Sequence, residues 1–179
     1  MARTFVALEL SKAIREQLIE AQQVLRGCSA RLTFVDPPLI HITAKFLGEV
    51  DEKRLVSVQD ALKKITFTQF PVTAGAVTVN NPKRPHTVWC AIDDGGKGEQ
   101  LQNLIEAALT PLGFAREERR FTPHATVARV KSPDPSLFTA LSQLRNKTYG
   151  SCTVSGLKLK ESTLTPRGPV YEDLLEVKW

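Results

Sequence analysis

Alternation of apolar and polar positions, punctuated by glycine and proline, divides the chain into short strands and four amphipathic helices. Thr4 to Leu10 (TFVALEL) reads as a first strand. Ser11 then caps a helix to about Leu25, with Ile14, Leu18, Ala21 and Leu25 on one stripe and Gly27 ending it. Leu32 to Val35 predicts a short strand. Asp36-Pro37-Pro38 predicts an extended turn, because a residue before proline is pushed out of the helical region. Leu39 to Leu47 is a strand broken at Gly48, and a helix follows from about Asp51 to Lys64, burying Leu55, Val58, Ala61, Leu62 and Ile65. Strands Phe70–Val79 and Thr87–Ile92 flank a loop, Asn80 to His86, rich in proline and basic residues. Asp94-Gly95-Gly96 turns the chain into a third helix near Glu99 to Leu112, closed by Gly113. A strand over roughly Arg120 to Val130 and a short helix from Pro135 to about Leu144 come next. Tyr149–Ser155, Leu157–Leu164 and Val170–Val177 read as the closing strands.

The strands are half-buried rather than continuously apolar, which argues for antiparallel sheets and against a doubly wound parallel one. Each half of the chain holds a similar strand followed by a helix and then more strands. The expected fold is therefore α+β, with two pseudo-symmetric lobes of mainly antiparallel sheet and helices outside. No linker separates the halves, so residues 1–179 are expected to form a single bilobal domain.

The echo between the halves is sharpest in one short pattern. His41-Ile42-Thr43 lies in HITAKFLGEV and His124-Ala125-Thr126 in FTPHATVARV, 83 residues apart, and the two use two of the three histidines. Side chains two apart on a strand share a face, so each strand would bury Ile42 or Ala125 and present an imidazole and a hydroxyl on the other side. Two such strands lining a central cleft would form a two-histidine acid–base site. A neutral imidazole takes a proton from an attacking group, and a protonated one gives a proton to the departing oxygen. Thr43 and Thr126 would hydrogen-bond the oxygens of a phosphoryl group. By parity Lys45 shares the His41 face and would supply a cation, whereas Arg129, at an odd offset from His124, reaches the cleft only if its strand bulges. Arg119 and Arg120 are further candidates. His86 reads as a surface loop residue, Lys83 and Arg84 as mostly solvated, and Trp89 and Phe121 as core.

Composition narrows this picture in a few places. A net charge of +5 and a pI of about 9.2 are compatible with a polyanionic partner without demanding one. Cys28, Cys90 and Cys152 lie far apart with no C-x-x-C spacing, so free thiols in a reducing cytoplasm are expected rather than disulfides or zinc. The opening MARTFVALELSK lacks the features of a secretory signal, and no run of 18 apolar residues suggests a membrane partner. Nucleotide-binding glycine motifs and the serine-hydrolase elbow are absent, and Gly95-Gly96-Lys97-Gly98 resembles a phosphate loop only in composition. No metal or other cofactor is expected.

With both motifs in hand, the chain resembles the RNA 2′,3′-cyclic phosphodiesterases, also called 2′-5′ RNA ligases, of the two-histidine phosphoesterase superfamily. The resemblance rests on Arg3-Thr4-Phe5-Val6-Ala7, HITAKFLGEV (with Ala44 where the family usually has leucine), FTPHATVARV and the closing ESTLTPRGPVYEDL. It implies metal-free opening of a 2′,3′-cyclic phosphate at an RNA 3′ end to a 2′-phosphomonoester. It further implies His41 as proton donor, His124 as proton acceptor, and Thr43, Thr126 and Arg129 as phosphate-binding residues. Attack by a 5′-hydroxyl on the cyclic phosphate, served by the same two histidines, would be reversible 2′-5′ ligation. The partner implied is RNA or a small ribonucleotide cyclic phosphate and not DNA, because the ring needs a 2′-hydroxyl; a monomer is expected. The competing readings are a phosphodiesterase of small cyclic nucleotide phosphates and a non-catalytic module that holds RNA 3′ ends.

Overall fold

The computed structural model describes residues 1–179. The elements follow in the order β1 (Ala2–Glu9), α1 (Lys12–Arg26), β2 (Arg31–Phe34), β3 (His41–Val50), α2 (Glu52–Lys63), β4 (Phe70–Val79), β5 (Thr87–Asp93), α3 (Lys97–Leu109), β6 (His124–Ser132), α4 (Ser136–Leu144), β7 (Gly150–Val154), β8 (Gly156–Thr165) and β9 (Gly168–Lys178). All strand pairs are antiparallel, in the order β7-β4-β5-β6-β3-β1-β8-β9 with β2 attached to β6.

Local chemistry accounts for most boundaries. The Ser11 hydroxyl accepts from Ile14 N at 3.2 Å and the Asp51 carboxylate from Arg54 N at 2.9 Å, which starts α1 and α2. Helix α3 begins at Lys97 because the Asp94 carboxylate accepts the N–H groups of Gly96 (2.8 Å) and Gly98 (3.0 Å). The Gly96 and Gly98 N–H groups of the Gly95-Gly96-Lys97-Gly98 segment are thus already satisfied from within. The helix tightens into a 3-10 turn over Thr110–Leu112 where Pro111 lacks an N–H. Several boundaries differ from expectation, three of them in the segments around the two H-x-T motifs. Pro37–Leu39 is a 3-10 turn rather than an extended one, closed by Leu39 N to Asp36 O at 2.8 Å. Strand β3 passes through Gly48 to Val50, since glycine adopts φ +72° there and the β1–β3 register slips beside it. Strand β6 begins only at His124, leaving Arg119 and Arg120 in the irregular segment before it.

The two lobes exist, but they are not the two halves of the chain. One half-sheet is β3-β1-β8-β9, covered by α2 and α3; the other is β7-β4-β5-β6 with β2, covered by α1 and α4. Helix α1, which directly follows β1, crosses to the second lobe, and β8 and β9 return from the C-terminus to pair on the free edge of β1. The two half-sheets pair at a single position of β3 and β6, Ile42 with Ala125. Beyond it the strands splay. The core lies on the helix-covered face, where Val6, Leu8, Ile42, Val88, Cys90, Ala125 and Val127 are buried. The opposite face is left open as a cleft.

Candidate active site

Ile42 and Ala125 point into the core, so His41, Thr43, His124 and Thr126 point into the cleft on either side of the only β3–β6 pair. Projected along this antiparallel register, His41 lies opposite Thr126 and His124 opposite Thr43. The two histidines are diagonal neighbours, about 7–8 Å apart before the strands splay. That separation leaves room for a phosphoryl group between the rings.

The two imidazoles are held in the same way. His41 Nδ1 donates to Leu39 O at 2.7 Å, and His124 Nδ1 donates to Thr122 O at 2.7 Å, in each case the carbonyl two residues upstream. A carbonyl only accepts, so Nδ1 carries a hydrogen in both rings and Nε2 is the atom whose protonation changes. His41 Nε2 meets the Thr43 hydroxyl at 2.9 Å. Burial pushes both pKa values below that of a free histidine. For His124 the Thr122 carbonyl alone opposes this shift. For His41 the Leu39 carbonyl and Glu9 oppose it while Lys160 and Arg15 reinforce it.

Aromatic rings set the planes of the imidazoles. Phe5 of β1 stacks on His41 with centroids 4.9 Å apart, and Tyr171 of β9 stands edge-on to His41 at 5.6 Å and to Phe5 at 5.0 Å. Trp89 of β5, paired in register with Thr126, lies against His124 at 4.1 Å. Sequence pattern places none of the three in the site. It assigns Trp89 to the core, and Tyr171 falls in the C-terminal run that carries the resemblance, with no role attached.

A β-bulge decides the fate of each cation. In β6 the pairing with β5 skips Val127, so Val127 and Ala128 both turn inward and Arg129 returns to the His124 face. The condition that parity imposed on Arg129 is therefore met. The same bulge in β3 skips Ala44 and sends Lys45 the other way. Lys45 is buried, with Nζ 2.9 Å from both carboxylate oxygens of Glu106 and 2.8 Å from Ala115 O. This corrects the parity expectation: Lys45 does not face the cleft, and the outward position is taken by Phe46. Each bulge is braced from behind by a buried glutamine. Gln22 of α1 donates to Val127 O at 3.0 Å and Val35 O at 2.7 Å, and Gln102 of α3 donates to Ala44 O at 3.4 Å. Because Lys45 is a structural cation, Lys45→Met should lower unfolding free energy in urea by about 3–5 kcal/mol, the cost of stranding the buried Glu106 carboxylate. A change below about 0.5 kcal/mol, the scale of an ordinary surface substitution, would contradict that placement.

Beneath His41 runs a chain of charges. Glu9 pairs with Arg15 and with Lys160 (2.8 Å), Lys160 with Asp173 (2.7 Å), and Asp173 with Lys158 (2.7 Å). Glu9 is the register partner of His41, whereas Ala91 is the partner of His124, so only the His41 side has charged flooring. Arg120 lies 3.6 Å from Glu99, and no ion pair engages Arg119. No three His, Cys, Asp or Glu side chains come together as a metal-ligating group. No helix is long and apolar enough to cross a membrane.

Residues 9–163 match the family model of the 2′-5′ RNA ligase superfamily. An Archaeoglobus fulgidus protein named RNA 2′,3′-cyclic phosphodiesterase is 35% identical over 173 residues, covering 96% of this chain and 97% of its own. A protein of the same name from Methanothermobacter thermautotrophicus is 33% identical over 177 residues, covering 96% of both. Among solved structures, TT0787 of Thermus thermophilus superposes with a TM-score of 0.82 at 26% identity, covering 98% of this chain and 97% of that one. E. coli LigT complexed with 3′-AMP gives 0.80 at 22% identity, covering 99% and 97%, and supports the fold alone.

Proposed function

Because the chain belongs to the 2′-5′ RNA ligase superfamily, we propose that it hydrolyses the 2′,3′-cyclic phosphate at an RNA 3′ end to a 2′-phosphomonoester. The observation that carries this reading is the pair of imidazoles, each with Nδ1 tied to a carbonyl and Nε2 turned to the cleft, diagonal across one strand pair. The relatives named RNA 2′,3′-cyclic phosphodiesterase supply the substrate class.

In the proposed reaction, His124 Nε2 takes a proton from water as the water oxygen bonds to phosphorus. The bond from phosphorus to O3′ breaks, and His41 Nε2, protonated at the outset, delivers its proton to O3′. Each transfer is worth about 10²–10⁴-fold. Thr43 and Thr126 donate to the non-bridging oxygens, Thr43 giving up its present contact with His41 Nε2 to the leaving oxygen. Arg129 neutralises the charge that builds on the phosphoryl group. With a 5′-hydroxyl in place of water, the same groups in the same roles join RNA ends through a 2′-5′ linkage. In the reverse of that step, O3′ attacks the linkage to re-form the ring and release the 5′-hydroxyl, and the two histidines exchange roles. The substrate is RNA and not DNA, because the cyclic ester requires a 2′-hydroxyl. The reaction proceeds without a metal or other cofactor. The whole chain acts as one bilobal monomer in the cytoplasm, where Cys28, Cys90 and Cys152 stay thiols.

Two results test the reading. Hydrolysis of an oligoribonucleotide 2′,3′-cyclic phosphate should proceed undiminished in excess chelator; loss of turnover on chelation would overturn it. The pH profile of kcat/KM should be a bell. Burial lowers both histidines of the free protein below their ordinary value, so its maximum should lie on the acid side of pH about 6.5. The bound phosphate anion favours both imidazolium forms, so the kcat profile should shift to higher pH.

A further inference from the structure

Strands β3 and β6 correspond residue for residue, and the correspondence shows where the lobes cease to be alike. His41 matches His124 and Thr43 matches Thr126. Beyond the bulge Phe46 matches Arg129, Gly48 matches Lys131 and Glu49 matches Ser132. From the same starting pair, one rim of the cleft becomes apolar and acidic while the other becomes basic. The first carries Phe46, 70% exposed, followed by exposed Glu49, Asp51 and Glu52.

The second rim is assembled from three segments. Thr33 of β2 and Thr87 of β5 flank Arg129 in register, and Arg31 pairs with Ser132, so Arg31, Thr33, Thr87 and Arg129 share the cleft face. The loop between β4 and β5 lies against the end of β6 through Val130 N to His86 O at 2.9 Å. Its shape is set by two side chains. Asn80 Oδ1 accepts from His86 N and Thr87 N, and Asn81 Oδ1 accepts from Lys83 N and Arg84 N. Lys83 and Arg84 are thereby held out from the same end of the lobe. Arg31, Lys83, Arg84, Arg129 and Lys131 are exposed or half-exposed, and none makes an ion pair. The nearby Asp134 carboxylate is taken by Ser136 N and Oγ. In lobe one Lys45, Lys158 and Lys160 are paired with carboxylates, and the unpaired Arg3 stands in register with Glu49, so no run of unpaired cations forms on that rim.

Building on the function proposed above, we propose that this rim, Arg31, Lys83, Arg84 and Lys131 leading away from Arg129, is the track for the single-stranded RNA that precedes the reacting nucleotide. The strand would leave the cleft over the β2–β6–β5 end and never over the acidic rim. Unpaired cations attract successive phosphates without reading sequence, and the threonine hydroxyls beside Arg129 add donors for the same oxygens. From His124 to Ser132 the strand spans about 26 Å at a rise of about 3.3 Å per residue, enough for several nucleotides. The protein would thus favour oligonucleotides over mononucleotides through KM, with the chemical step unchanged.

The test is a triple variant, Arg31→Ala/Lys83→Ala/Arg84→Ala, beside a control of equal charge loss on the far side, Lys53→Ala/Lys63→Ala/Lys64→Ala. A ten-nucleotide RNA and a mononucleotide, both ending in 2′,3′-cyclic phosphate, serve as substrates. The rim variant should raise KM for the ten-mer by roughly 10–100-fold and flatten its salt dependence by about two units of slope, since each single-strand phosphate contact contributes about 0.7. Its kinetics on the mononucleotide, and the control's on both substrates, should stay within about twofold, as no phosphate contact is removed there. An unchanged ten-mer KM, an equal loss on the mononucleotide, or an equal effect of the control would each overturn the track. Fluorescence anisotropy with a ten-mer ending in a 3′-phosphate reads the same contacts without turnover. A native protein that cleaves neither substrate, yet binds this RNA more tightly than the rim variant does, would overturn the proposed reaction and support the track.

Discussion

His124→Ala and His41→Ala should each lower kcat/KM on an oligoribonucleotide 2′,3′-cyclic phosphate by about 10²–10⁴-fold, the usual worth of one positioned proton transfer. The losses should not multiply. Once one transfer is gone, the remaining imidazole no longer acts in concert with it, so the double variant should fall little below the worse single one. The environment of each ring distinguishes them further. His124 has only apolar Ala91 in register beside it and Trp89 against its ring, whereas His41 has Glu9 in register, itself tied to Arg15 and Lys160. If His41 is the acid, a substrate whose leaving oxygen needs no proton should rescue His41→Ala and leave His124→Ala inactive. The measurement is single-turnover hydrolysis of an activated phosphodiester by both variants. Equal rescue of the two would overturn the assignment of roles.

Arg129→Ala should cost about 10²–10³-fold in kcat, comparable to removing one preorganised donor at a site of developing charge. Arg129→Lys should recover only part of this, since an ammonium cannot bond two phosphoryl oxygens with the planar geometry of a guanidinium. The position of Arg129 depends on the Val127 bulge, and that bulge is held by Gln22 from the helix behind it. Gln22→Leu keeps the volume of the side chain and removes its donor, leaving the Val35 and Val127 carbonyls short of a partner. It should therefore lower kcat in the same direction as Arg129→Ala, though Gln22 touches nothing in the cleft. Steady-state kinetics of Gln22→Leu, Arg129→Ala and the double variant check this. Independent, fully additive losses would show that the glutamine does not act through the arginine.

Period-two alternation carried the two H-x-T strands and their faces, because a half-buried strand writes its two faces into successive residues. The helix caps at Ser11 and Asp51 were equally readable, since they depend on residues only a few positions away. What alternation could not carry was the bulge. HITAKF and HATVAR contain no residue that demands an extra inward position, and the slip arises from pairing with β1 and β5 and from Gln102 and Gln22. Lys45 was misplaced for that reason: its carboxylate partner, Glu106, is 61 residues away on another element. The conditional placement of Arg129 turned on the same unseen bulge. Trp89, Phe5 and Tyr171 reach the histidines only through cross-strand register, which local pattern does not encode. The interleaving of the lobes is likewise long-range, since the C-terminal β8 and β9 close on the edge of β1.

The two imidazoles should open the ring by releasing the 3′-oxygen and not the 2′-oxygen. End-group analysis of the product from a defined RNA 2′,3′-cyclic phosphate tests it most directly. The product should be a 2′-phosphomonoester with a free 3′-hydroxyl, whose phosphate is removed by a general phosphatase and not by one specific for 3′-phosphates. Accumulation of a 3′-phosphate, or an unchanged cyclic end with the native protein, would contradict it.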